Sequence, residues 1–172
     1  MVKIIGCILV ITGCSAIGFF EADKMRKRLL EMQYIRRYVL FMKGEIRSGN
    51  KTIPETLLQL GKRANGIWKN FFQKTGEKLW DTSNGTLDKV WRMQVQDSLA
   101  KSYLRDEDKR QWIELGENLG YLDREMQLNL LAVYEEHLSE SIEREKEQIA
   151  THTKLYQALG VMSGVFLAII LV

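Results

Sequence analysis

The chain is poor in the residues that usually declare a chemistry: of 172 residues, two are cysteine, two histidine and one proline. Cys7 and Cys14 both fall in the first apolar stretch, so residues 21–154 have no thiol for a disulfide framework or a thiolate metal site. His137 and His152 stand outside any HExxH or ExxH spacing and read as surface or packing residues. GxxxxGK[ST] and GxSxG are absent, and "GKRANG" lacks the spacing to cradle phosphates. The acidic pair Glu135-Glu136 reads as part of a solvated helix face. No catalytic residue, cofactor or metal is expected, and the chain reads as a non-enzyme.

Charge is missing in two places. Residues 4–20 and 155–172 carry none, and each stretch spans roughly 26 Å as helix at 1.5 Å per residue, the short limit for a bilayer. "ILVITGCSAIGFF" raises an alternative. Ile11-Thr12-Gly13-Cys14 has the shape of a lipoprotein cleavage box, which would make the protein a cell-envelope lipoprotein. Against cleavage, only Lys3 precedes the stretch, and after Cys14 the chain stays apolar through Phe20, where a lipoprotein has a soluble tether. A retained membrane helix fits better. Lys24, Arg26, Lys27 and Arg28 follow directly, so the positive-inside tendency puts residue 21 onward in the cytoplasm and both termini outside.

The expected organisation is an N-terminal membrane helix (1–20), a cytoplasmic helical bundle (21–154) and a C-terminal membrane helix (155–172). The middle shows helical spacing throughout and no long strand alternation. Ile35, Tyr38, Val39, Met42 and Ile46 form one apolar stripe, ended by Gly49-Asn50. "TIPE" opens the next helix, with Thr52 as cap, Glu55 three residues on and Pro54 in the first turn. Leu57, Leu60 and Ala64 are its buried face. "IWKNFFQKTGEKLW" follows, with Gly76 as a possible break, then the loop "DTSNGT". Leu87, Val90, Trp91, Val95 and Leu99 make a further stripe; "RDEDKR" reads as a polar turn before Trp112, Leu115, Gly116 and Leu119. Asp123 caps a last helix that runs, without a breaker, into the apolar tail. The fold class is all-α: an antiparallel bundle of about six helices, with anchors that are rigid extensions of the first and last.

Three constellations point to contacts. Residues 21–51 hold nine basic side chains against four acidic ones, whereas 135–147 hold six acids against two bases; the faces can pair with each other, with anionic lipid or with a partner. Gly160, Gly164 and Ala168 form a small-residue ladder, and Cys14 and Gly18 a similar notch, both suited to close packing of membrane helices. Gly116 and Gly120, each behind a leucine in "LGENLGYLDREMQ", face one way if the helix continues and admit a neighbouring backbone. A membrane-anchored regulator binding nucleic acid or anionic lipid through residues 24–51 is a rival class, but aromatic interleaving there is slight and no nucleic acid is expected.

At these residues the chain resembles the stage III sporulation protein AB family of endospore-forming bacteria. "EIRSGNKTIPETL" is similar to the family's pattern at Glu45, Ile46, Gly49, Pro54 and Leu57. "LGENLGYLD" is similar to its Leu-Gly repeat and acidic residue at Leu115, Gly116, Leu119, Gly120 and Asp123, with Gln127 beyond. The resemblance implies a component of the secretion-like channel complex between mother cell and forespore. Its cytoplasmic part is similar to the helical domains of platform proteins in type II secretion and type IV pilus systems. By that analogy it sits in the mother-cell membrane facing the forespore and docks the complex's cytoplasmic ATPase. Other membrane components of the complex, met through the small-residue faces, and further copies of the chain are additional implied partners. The exposed part of the helices around Trp68 to Arg92 is the expected ATPase-facing surface.

Overall fold

The structure, a computed structural model, describes the backbone of residues 2–49, 51–81 and 85–171; the side chains of 1–15, 17–18, 152–161 and 163–172 lie outside the description. Six helices follow in order: α1 (Val2–Ser48), α2 (Ile53–Arg63), α3 (Gly66–Trp80), α4 (Leu87–Ser98), α5 (Asp106–Leu119) and α6 (Arg124–Leu171). No strand occurs among the described residues. The chain divides into two compact units, one of residues 31–140 and one of residues 1–30 with 141–172.

In the larger unit the spacing of apolar residues accounts for each buried face. Ile35, Val39, Met42 and Ile46 of α1 are buried, as are Leu57, Leu60 and Ala64 around α2, and Val90, Trp91, Val95 and Leu99 around α4. Trp112, Leu115 and Leu119 of α5 and Leu131 and Leu138 of α6 complete the core. Full burial of each such side chain contributes about 1.5–3 kcal/mol. The centre is aromatic. Phe71 and Trp91 meet edge to face with centroids 5.1 Å apart, Trp91 and Trp112 lie at 5.0 Å, and Trp68 stands 6.0 Å from Trp112. Tyr38 of α1 and Tyr134 of α6 close the cluster from outside, at 4.8 Å from Phe72 and 5.9 Å from Trp112. Such pairs contribute about 0.5–1.5 kcal/mol beyond area burial. They fix which helices are neighbours.

Local chemistry sets the helix ends. The Glu55 carboxylate accepts from the Thr52 N–H at 2.8 Å, with Pro54 in the first turn of α2. Asp123 Oδ1 accepts from the Met126 N–H at 2.8 Å and so starts α6. The "RDEDKR" segment is not a separate turn. It forms the first turns of α5, where Asp106, Glu107 and Asp108 complement the positive end of the helix dipole and Asp108 accepts from the Arg105 N–H at 2.8 Å. Nor does Gly76 break α3: it is buried, and a Cβ there would lie 2.7 Å from Leu58 Cγ, so the residue allows α2 and α3 to approach.

The smaller unit holds the first thirty residues and the C-terminal part of α6. Ala22 and Ile142 are buried in it. So are Arg28 and Glu145, 8 % and 4 % exposed, which form an ion pair. Among the described residues no helix is long and apolar enough to cross a membrane. Most side chains of the two apolar ends, on which the expected membrane helices rest, lie outside the description. Their backbone is helical and continuous with α1 and α6.

Candidate interaction surface

The residues singled out in "EIRSGNKTIPETL" and "LGENLGYLD" converge on one joint of the larger unit. Gly49 leaves α1 with φ +67°, a left-handed conformation that suits glycine, and its N–H reaches the Glu45 and Ile46 carbonyls at 3.2 and 3.1 Å. Across this end lies Arg124, from the first turn of α6. Its Nε donates to the Ile46 carbonyl at 3.0 Å and its Nη2 to that of Arg47, so a cation satisfies carbonyls at the negative end of α1. Lys51 donates to the Glu45 carboxylate at 2.6 Å and to Gln59 at 2.9 Å, tying α1 to α2. Gln127 donates to the Leu119 carbonyl at 2.9 Å and ties α6 to the end of α5. Because Arg124 and Arg36 of the two long helices bond to Ile46 and Glu135 respectively, α1 and α6 run antiparallel in this unit.

Gly116 and Gly120 both look at α4. A Cβ on Gly116 would lie 2.2 Å from Trp91 Cγ, and one on Gly120 would lie 3.2 Å from Leu87 Cβ. Gly116 therefore admits an indole where a neighbouring backbone was expected, and Gly120 lies one residue past the end of α5. With Trp91 seated there, its Nε1 donates to the Trp112 carbonyl at 2.8 Å. Glu45, Gly49, Pro54, Gly116, Gly120, Asp123 and Gln127 thus organise helix ends and packing.

The charged faces pair in part with each other. Glu135 is held by Arg36 at 3.1 Å and Lys43 at 3.8 Å; it is half-buried between α1 and α6, in contrast to the solvated reading, while Glu136 is exposed. Of the basic residues after the first apolar stretch, Lys24 and Arg26 are exposed, Lys27 pairs with Asp23 at 2.6 Å, and Arg28 turns inward to Glu145. Cys14, Gly18, Gly160, Gly164 and Ala168 lie outside the described residues. His137 is exposed, and among the described residues no three metal-binding side chains come together.

Burial perturbs two groups in particular. Glu31 is 8 % exposed, and desolvation pushes its carboxyl above the usual range although the Tyr103 N–H donates to it at 3.1 Å. Burial likewise raises the Tyr134 phenol.

A groove of about 340 Å³ opens between α1, α2 and the start of α3. Tyr34, Arg37, Tyr38 and Phe41 form one wall, Leu60 and Arg63 the other, and Asn65 and Trp68 the end. The Arg37 guanidinium carbon lies 4.6 Å from the Tyr34 ring centre, and that of Arg63 lies 4.6 Å from the Phe41 ring centre. No carboxylate lines the groove.

The model of the stage III sporulation protein AB family matches residues 3–172. The chain belongs to that family. A solved structure of a stage III sporulation protein AB shares its fold, with a TM-score of 0.65 at 18 % identity over 72 % of this chain and 96 % of that one. No curated protein sequence matches the chain. Membership makes this a sporulation protein with an all-helical bundle. The groove was not legible in the sequence. Its residues lie on separate helices, and the only local signal was an arginine three residues from an aromatic in Tyr34-Ile35-Arg36-Arg37.

Proposed function

We propose that this family member is a non-enzymatic, membrane-anchored adaptor in the channel complex between mother cell and forespore, and that its bundle docks the complex's cytoplasmic ATPase. The observation that supports this reading is the continuity of both apolar ends with the bundle's first and last helices, α1 and α6. A helix without a break transmits position and force from a bound motor to the membrane, where a flexible linker would dissipate both. The charge-free ends of seventeen and eighteen residues serve as anchors, and the basic run from Lys24 to Arg28 sets the bundle in the cytoplasm.

The test is the topology and intact mass of the full-length protein in its sporulating host, followed by co-purification with the complex's ATPase. The expected result is a bundle protected from protease added outside, a mass that includes every residue with Cys14 unlipidated, and an ATPase retained on the full chain. Lipidated Cys14 with a digested bundle would overturn the proposal.

A further inference from the structure

We propose that the groove between α1, α2 and the start of α3 binds an acidic segment of a protein partner, with Arg37 and Arg63 holding carboxylates and the aromatic floor receiving an adjacent apolar side chain. This rests on the adaptor reading and names the surface on which one of its partners sits. It is a different surface from the exposed part of the helices around Trp68 to Arg92, although Trp68 itself, which is buried, lines one end of it.

Four cations of α1, and Lys51 just beyond it, are neutralised inside the protein. Lys27 pairs with Asp23, Arg28 with Glu145, Arg36 and Lys43 with Glu135, and Lys51 with Glu45. Arg37 and Arg63 are different. Neither forms an ion pair among the described residues; each is instead laid against an aromatic ring, Tyr34 or Phe41, at 4.6 Å. Stacking fixes the plane of a guanidinium while leaving its N–H edge free, the arrangement that binds a carboxylate through two parallel hydrogen bonds at little conformational cost. Two such edges, preset on the aromatic rings of one groove, are charge-complementary to closely spaced acidic side chains.

The rest of the groove selects among anionic partners. Leu60, Tyr38, Phe41 and Trp68 give it apolar surface below the charges. Trp68, 3 % exposed, closes the groove's end with its indole. Lipid head groups are recruited by clusters of four to eight basic residues, and single-stranded nucleic acid by a groove of positive charge that tracks its backbone. Two arginines over an apolar floor fit neither. They fit a peptide in which glutamate or aspartate flanks a large apolar residue.

The experiment replaces the chromosomal copy in the sporulating host with full-length variants and counts heat-resistant spores. Arg37→Glu with Arg63→Glu is expected to lower the count roughly 100-fold, the affinity effect of reversing two charge-assisted contacts. Lys62→Glu with Lys69→Glu, on exposed neighbours outside the groove, is expected to leave the count within a few-fold. If the reversed variant fails to accumulate, Arg37→Gln with Arg63→Gln removes the charges, and the same loss is expected from it at normal protein level. Suppressors of the loss are expected to be acidic-to-basic changes in a different polypeptide.

An unchanged count at normal protein level, suppression only within this chain, or rescue by lowering the anionic lipid of the membrane would each overturn the proposal, the last in favour of a lipid surface. Deletion of the whole chain is the separate control. If deletion abolishes spores and the groove variant does not, the groove assignment alone fails; if deletion has no effect, the adaptor reading fails with it.

Discussion

Gly116→Ala tests the packing at the centre of the bundle. In an exposed helix interior, alanine in place of glycine stabilises by about 1 kcal/mol, because it lowers the conformational entropy of the unfolded chain. At residue 116 the added Cβ would stand 2.2 Å from Trp91 Cγ and 2.3 Å from Cδ1 and Cδ2, where carbon atoms pack at about 3.5–4 Å. Trp91 is 1 % exposed, touches Phe71 and Trp112 at 5.1 and 5.0 Å, and donates from Nε1 to the Trp112 carbonyl at 2.8 Å. The cavity beside the indole, lined by Met42, Leu87 and Leu119, holds only about 10 Å³, too little to receive it. Relief requires movement of more than an ångström by the ring or by α5. Overpacking of that kind costs about 1–3 kcal/mol, and weakening the buried indole bond adds about 1 kcal/mol.

After the propensity gain, the net loss for Gly116→Ala is about 2 kcal/mol, or a fall in Tm of roughly 4–8 °C for a chain of this size. Gly44, inside α1, has nothing within 4 Å of its added Cβ, so Gly44→Ala should raise Tm by about 2–4 °C. The assay is thermal unfolding of the full-length protein in detergent, followed by tryptophan fluorescence and near-ultraviolet circular dichroism. If Gly116→Ala matched Gly44→Ala, the seating of Trp91 against α5 would be wrong.

Arg28→Met should destabilise the smaller unit by about 3–5 kcal/mol by breaking its buried ion pair with Glu145, whereas Arg28→Met with Glu145→Met should recover most of it, as denaturation of the two variants would show. Arg124→Ala should cost about 1.5–3 kcal/mol through the Ile46 and Arg47 carbonyls, with increased amide exchange at the end of α1 as the local readout. Because the folded pKa of Glu31 is raised, ionisation works against folding above that pKa, and the penalty disappears as pH falls through it. Glu31→Gln should therefore stabilise at neutral pH, with the gain shrinking on acidification; an equal gain at all pH values would contradict burial as the cause.

The sequence alone determined the helical fold, since apolar residues at helical spacing have only one face to bury. It placed the ends of α1 and α2 through Gly49 and the Thr52-Glu55 pair, and the start of α6 through Asp123, because capping is a contact between residues a few positions apart. "RDEDKR" misled because acidic residues that favour a helix's first turn look, by composition, like a loop. Tertiary structure decided what depends on residues distant along the chain. Glu135 reads as solvated until Arg36 and Lys43 arrive from α1, about a hundred residues earlier. Gly116 reads as room for a backbone until Trp91 fills it, and nothing within twenty positions of Arg63 shows that Phe41 holds its guanidinium flat. Spacing along one helix fixes which face is buried; only the packed bundle fixes what that face meets.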